Sequence, residues 1–470
     1  MARFLRLREA THHTKSGNFR SLLFRTAAAG SEDSIDFNDG AKLFARRTDA
    51  EIARAVLVLQ LCSVDSLVDR SLQLMTLGEK LLPRNLFEFL MEKTFYGQFM
   101  PGATHDEVIM LAQRLASSDI RFIATPSIED ELEENESHSG NNSNFEQLLD
   151  FNAEQVMGSI DLAGIQKLKL VTEDYQQTAK VAFKLTAIFR PILLKLLSSG
   201  LMSGGSFPVE SPLTLHEHME EIADKSGSLD EYNKGMKRFT SLTERLHSGN
   251  LSILISGEYS YMQPAIRSLT LYMQSLYNRQ CPAILNTQQT YLKSAEEDNK
   301  INLAIADKCG FVYGVKVVRG AYMDKERALA KLYGYHDPIH STYEDTNSCY
   351  NRTLDVILQR TAANGIAVMA ATNNEASVKF GVKRMSELGI SRQSGQASFA
   401  QLHGMCDHVT FALGQNGYLV YKCSPYGDIS STMRYLSRRA QENRTALKGL
   451  RREKQLLYQE WKRRQKERSI

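Results

Sequence analysis

The chain has 470 residues, a net charge of +3 and 42% hydrophobic residues, enough for one large domain with a smaller attachment. So slight a positive surplus gives no argument for nucleic acid, and no apolar run reaches the roughly 18 residues of a membrane span. The six cysteines, scattered from Cys62 to Cys423 without a CxxC pair, argue against a zinc site or a disulfide scaffold and fit a reducing compartment.

Residues 1–28 carry Arg3, Arg6, Arg8, Lys15, Arg20 and Arg25 against a single acid, Glu9, among many Ser, Thr and Ala. That composition predicts a mitochondrial transit peptide. Residues 36–126 read as a helical N-terminal region, with apolar residues spaced i, i+3, i+4 and no strand-like alternation. Residues 127–146 (SIEDELEENESHSGNNSNFE) run from acids into Ser, Asn and Gly. They cannot bury enough apolar surface to fold and predict an acidic disordered linker.

From about residue 150 to 445 the texture changes. Strand-like runs recur, each followed by a helical pattern: 181–189, 251–258, 283–292, 311–322, 366–374, 397–405 and 418–427. Alternating βα units of this kind suggest a parallel sheet, and so many in one chain predict a (β/α)8 barrel in the α/β class. Between Phe189 and Leu251 lies either a weak eighth strand or a helical insertion. Polar residues gather at the C-terminal ends of the runs: Lys184, Ser256 and Glu258, Asn286, Lys316 and Arg319, Thr372 to Asn374, Gln401 and Lys422. In a barrel those ends share one mouth, where active sites lie.

After the last run comes YLSRRAQEN (435–443). Glu442 stands four residues after Arg438 and three after Arg439, so on a helix the carboxylate reaches both guanidiniums. A paired, planar, permanently charged fork suits a small carboxylate ligand. Residues 446–470 then predict a basic helix with Leu450, Leu456, Leu457 and Trp461 at helical spacing. It either lies on a membrane surface or packs on the barrel through its leucines.

No GxGxxG, P-loop, HExxH or GxSxG motif follows a strand. The cations at the mouth suit an anionic substrate, a phosphate-bearing cofactor or a flavin needing a positive neighbour. Lys184 is alternatively placed to form a Schiff base, as in a lyase barrel. Residues alone stop at a barrel that binds anions.

Several segments resemble those of the proline dehydrogenases. They are FKLTAIFRP (183–191), EYSYMQPAIRSLTLYMQ (258–274), NTQQTYLK (286–293), KVVRGAY (316–322), QLHGMCDHV (401–409), ALGQNGY (412–418) and YLSRRAQEN (435–443), in the family's order. The resemblance spans roughly 150–445 and implies a distorted (β/α)8 barrel that binds FAD. It implies oxidation of proline or 4-hydroxyproline to a pyrroline, with hydride passing to flavin N5 and electrons to membrane quinone. It would place the enzyme on the matrix side of the mitochondrial inner membrane, in peripheral contact with it. By the same resemblance Arg438 and Arg439 hold the substrate carboxylate and Glu442 orients them. Lys184 and Tyr322 line the pocket, Lys316 lies near N5, and Asn286 meets the flavin. Val318, Arg319, Gly320, Ala321, Gln401 and Leu402 belong to flavin-binding stretches, and Thr372, Asn373 and Asn374 to the adenosine segment. Four positions depart from the usual pattern: Ser256 replaces an aspartate, Asn373 a histidine, Ala400 a Gly or Gln, and Cys423 a bulky tyrosine over the substrate ring. A small residue at that last position, with DKERA and GMCDHV, is closer to the hydroxyproline dehydrogenase branch. Ser256 and Asn373 also leave open a flavin-poor or catalytically impaired member.

Overall fold

The computed structural model describes residues 35–128, 142–169, 179–279, 282–442 and 450–468. The predicted transit peptide at 1–28 lies outside the described residues, as does most of the acidic linker.

Eight parallel strands form the centre: β1 (Ile120–Pro126), β2 (Lys180–Phe183), β3 (Ser252–Ile255), β4 (Ile284–Gln289), β5 (Gly314–Val318), β6 (Ala367–Ala371), β7 (Ala397–Leu402) and β8 (Val420–Tyr426). The ladder runs from β2 in sequence order to β8 and then to β1, which comes back against β2. This is the (β/α)8 barrel. Both faces of each strand are covered, so the strands read as short continuous apolar runs rather than alternating ones. One core lies between the strands and their helices, with Val181, Ile253, Val315, Val317, Val368 and Val420 pointing outward. A second fills the barrel: Ile123, Ala182, Leu254, Leu285, Met369, Ala400 and Tyr421.

Two boundaries differ from the sequence expectation, and a stretch the sequence left open between strand and helical insertion is helical. The region predicted as helical through 126 ends in β1, so the barrel starts at 120 and not near 150. A capping box between Thr104 and Glu107 starts the helix His105–Ala116, which Ser117 closes. The chain then reverses through Asp119, at φ 57°, straight into the β-rich IRFIAT. Second, the predicted linker ends before 142, where the helix Asn142–Lys169 begins; Glu146 in its first turns pairs with Arg238. The open stretch, after Phe189, holds three helices, Pro191–Leu201, Pro212–Lys225 and Leu229–Ser248.

The N-terminal helices pack on the end of the chain. Ile52, Ala55 and Leu59 of the helix Asp49–Leu61 bury against Leu450, Leu456 and Leu457 beside the terminal helix Arg451–Arg468. The leucine stripe considered for a membrane surface is therefore spent on the protein itself. Among the described residues no helix is long and apolar enough to cross a membrane.

Candidate active site

Alternation along each strand decides which side chains enter the barrel. Ala182 and Leu254 point inward, so Lys184 and Ser256, two residues on, do the same. The Ser256 amide still donates to the Phe183 carbonyl at 2.9 Å, extending the β2–β3 ladder by one residue. On β5, Val315 and Val317 belong to the outer core, which turns Lys316 and Val318 inward. On β7 and β8, Leu402 pairs with Cys423 in register, and Cys423 packs on the inner cluster.

These side chains converge. The Lys184 ammonium stands 5.7 Å from the centre of the Tyr322 ring, tying the end of β2 to the loop after β5. Tyr322 in turn packs on Tyr259, ring centres 4.4 Å apart. Burial holds the Lys316 amine below its ordinary pKa, partly offset by the nearby Cys423. Burial pushes the Cys423 thiol up to about 11, with Lys316 opposing, so the thiol is protonated at neutral pH. Glu258, buried, accepts from the Thr186 amide at 3.1 Å and its hydroxyl at 2.7 Å, fixing the β2 and β3 loops together.

Gly320 joins Arg319 to Ala321 and Tyr322 at φ 134°. A Cβ there would lie 2.5 Å from Cε1 of Tyr291, so only glycine lets the loop cross that ring. Arg319 points to the β6 end. It donates to Asn347 (2.9 Å), Thr372 (2.6 Å) and Ser377 (2.8 Å) and lies 4.4 Å from the centre of the Tyr350 ring. Thr372 Oγ1 also accepts from the Asn374 amide at 3.1 Å, and Asn374 caps the helix Glu375–Glu387 by accepting from the Ser377 amide. The Asn373 carbonyl accepts from the Cys406 thiol at 3.4 Å. The segment 372–374 is thus a rigid corner.

Three residues expected at the mouth turn outward. Asn286 stands in register with the outward Val315, and its Oδ1 accepts from the Thr287 amide at 2.9 Å. Gln401 donates to the Thr372 carbonyl at 3.2 Å and accepts from Thr410 at 2.9 Å. Lys422, 1% exposed, pairs with Asp407 at 2.6 Å behind β8. Each alternates with an inward neighbour, Leu285, Ala400 or Cys423. On β4 the inward residue that sequence reasoning missed is Gln289, four after Leu285, which donates to the Glu258 carbonyl at 2.7 Å; that even spacing was the available signal.

The helix Ile429–Glu442 follows β8 directly and carries Arg438 and Arg439. Arg438 is half-buried; the side chains of Arg439 and Glu442 lie outside the described residues. This helix is held down by the N-terminal region, a role no periodicity announced. Met433 packs with Met75, Tyr96 and Met100. The Tyr96 hydroxyl donates to the Gly427 carbonyl at 2.7 Å, and the Ser424 hydroxyl to the Phe99 carbonyl at 2.8 Å.

The family model described as proline dehydrogenase matches residues 112–452. Hydroxyproline dehydrogenase of Xenopus laevis is 37% identical over 93% of this chain and 92% of its own length. Its Bos taurus counterpart is 36% identical over 93% and 94%. Mitochondrial proline dehydrogenase 1 of Homo sapiens is 30% identical over 93% and 91%. Among solved structures, proline utilization A from Bdellovibrio bacteriovorus superposes with a TM-score of 0.61 at 18% identity, over 88% of this chain. The chain spans 40% of that much longer protein, and the likeness speaks for the barrel fold alone.

Proposed function

The chain belongs to the proline dehydrogenase family, a family of oxidoreductases, and we propose that it oxidises 4-hydroxyproline or proline to the corresponding pyrroline-5-carboxylate with FAD bound at the barrel mouth. The observation that carries this reading is the proline dehydrogenase family match over residues 112–452, on a barrel that brings Lys184 and Tyr322 together at the strand ends.

The residues present fit a flavin. Leu402 keeps 44% of its surface open at an inward position beside Cys423, leaving apolar surface for a planar ring, and Lys316 supplies a cation to the same space. Lys316, Val318, Ala321 and Leu402 would hold the ring, and the corner 372–374 the adenosine. FAD, when bound, supplies the acceptor for the hydride that leaves the substrate ring carbon next to nitrogen. The chain's own residues do the rest. Arg438, with Arg439 steadied by Glu442, binds the substrate carboxylate and fixes the ring's orientation, which is where much of the rate enhancement arises. Lys184 and Tyr322 form one wall. A desolvated, cation-rich pocket favours the neutral imino nitrogen that oxidation requires. The N-terminal helices hold the helix bearing Arg438 in place through the packing of Met75, Tyr96 and Met100 on Met433. Electrons then pass to a membrane quinone, which sets the enzyme on the matrix side of the inner membrane; names of relatives that include "mitochondrial" support the mitochondrial part of this reading.

Anaerobic addition of 4-hydroxyproline to purified protein should bleach a visible flavin band. Absence of bleaching with either imino acid would remove the substrate assignment. FAD titration without quenching or thermal stabilisation would remove the cofactor.

Cys423 sets the expected preference. It faces the barrel where a tyrosine would crowd a ring hydroxyl, so 4-hydroxyproline should be turned over at least as well as proline. Cys423→Tyr should move the ratio of kcat/KM values toward proline by about 10-fold, the scale of a steric discrimination without a new hydrogen bond. An unchanged ratio would place Cys423 away from the substrate ring.

A further inference from the structure

A second cavity, of about 460 Å³, lies behind the barrel wall, between the N-terminal helices and the outer side of β8. That is within the size range of small-molecule sites. Arg46, Arg47, Arg54, Lys93, Arg114 and Lys422 line it, against four carboxylates.

The carboxylates are already committed. Glu107 is held by the backbone amides of Ala103 and Thr104 at 2.7 and 3.1 Å. Glu92 pairs with Lys93 at 2.9 Å. Glu51 caps its own helix and meets Arg114 at 2.6 Å. Asp407 is shared between Arg47 and Lys422. Glu453, behind the wall, accepts from the amides of Cys406 and Asp407 at 2.6 and 2.7 Å. Arg54 is left over. Its Nε is buried with no hydrogen-bond partner. Its guanidinium passes over Gly97, where a Cβ would stand 2.8 Å from Nη1. Arg54 is half-buried, and leaving its buried Nε unmet is costly, so the arrangement makes sense around a ligand that the cavity receives.

We propose that this cavity binds a small dicarboxylate, with Arg54 as its principal anchor and Arg47 as the second. The space exceeds what a single phosphate fills, and cations on two walls suit two separated carboxylates. Burial and neighbouring cations hold Arg47, Arg54 and His403 below their usual pKa values; an anion would relieve that crowding.

Such a ligand would be felt in the barrel. Lys422 is the strand neighbour of Cys423, and the His403 amide donates to the Cys423 carbonyl at 2.9 Å. Gln98, also lining the cavity, donates to the Gly404 carbonyl at 2.8 Å. Occupancy would tie the N-terminal helices more firmly to the ends of β7 and β8 and so to the helix bearing Arg438.

The test uses the full-length protein and glutarate as probe, with phosphate and acetate at matched ionic strength. Calorimetry and thermal denaturation should show glutarate binding and stabilisation, phosphate acting more weakly and acetate not at all. Arg54→Met should weaken glutarate binding at least 10-fold with little change in the melting temperature of the ligand-free protein, since the Nε it removes makes no hydrogen bond there. Arg438→Met should leave glutarate binding intact, which separates this cavity from the barrel mouth. Stabilisation by glutarate no greater than by acetate, or unchanged in Arg54→Met, would overturn the site. Phosphate binding more tightly than glutarate would overturn the dicarboxylate assignment.

Discussion

Replacing Arg438 by methionine is expected to lower kcat/KM for the imino acid by about 30- to 1000-fold with little change in melting temperature. Arg439→Met should behave alike. Each removes one arm of a charge-assisted grip on the substrate carboxylate, worth roughly 2–4 kcal/mol in the transition state. Arg438 sits half-buried on the helix that follows β8, while that helix is anchored by Met433 and by the bond from Ser437 to Met75 at 2.9 Å. Loss of the guanidinium should therefore spare the fold. Arg438→Lys should recover only part of the activity, because an ammonium keeps the charge and loses the fork. Kinetics beside circular dichroism checks this, and wild-type activity in Arg438→Met would take that arginine out of the site.

Gly320→Ala should damage stability and flavin retention together. The backbone at φ 134° costs a side-chain-bearing residue about 1–3 kcal/mol, and overpacking adds about 1–3 kcal/mol more. The Tyr291 ring cannot step aside. It is 2% exposed, its amide donates to the Arg319 carbonyl at 2.7 Å, and its carbonyl accepts from the His340 amide at 2.9 Å. The loop itself must move, carrying Arg319 away from Thr372 and Tyr322 away from Lys184. A control is Gly334→Ala: that glycine also has positive φ, 70°, but a Cβ there meets nothing within 4 Å. It should cost only about 1–2 kcal/mol and keep its flavin. Equal effects of the two substitutions would show that the crossing over Tyr291 does not matter.

Seven strands were legible because residues buried on both faces make short, dense apolar runs. β1 was not, because only Ser117, Ser118 and Asp119 separate it from a strongly periodic helix, and a single positive φ makes the turn. Facing was legible where the two-residue alternation was followed: Lys184, Lys316 and Cys423 fall on the inner phase. Asn286, Gln401 and Lys422 are one residue out of phase. In a barrel buried on both sides, a polar residue at a strand end satisfies an outer partner as readily as it lines a pocket. The grip of Tyr96, Gln98 and Phe99 on β7 and β8 rests on backbone carbonyls, which carry no residue-type signature.

The pairing of β1 with β8 joins Ile120 to Val420, three hundred residues later. Strands β3 to β8 can add to the growing sheet as each leaves the ribosome, since every one pairs with its predecessor. β1 has no such early partner for its ladder, and the helices before it wait as well, because their resting place includes Leu456 and Leu457. Bringing together segments so distant carries a large loop-closure entropy and makes for late assembly. Residues 35–126, made early, are thus among the last to settle, exposing apolar helices in the interval. A chain cut short at residue 449 would lose the surface on which its own beginning comes to rest.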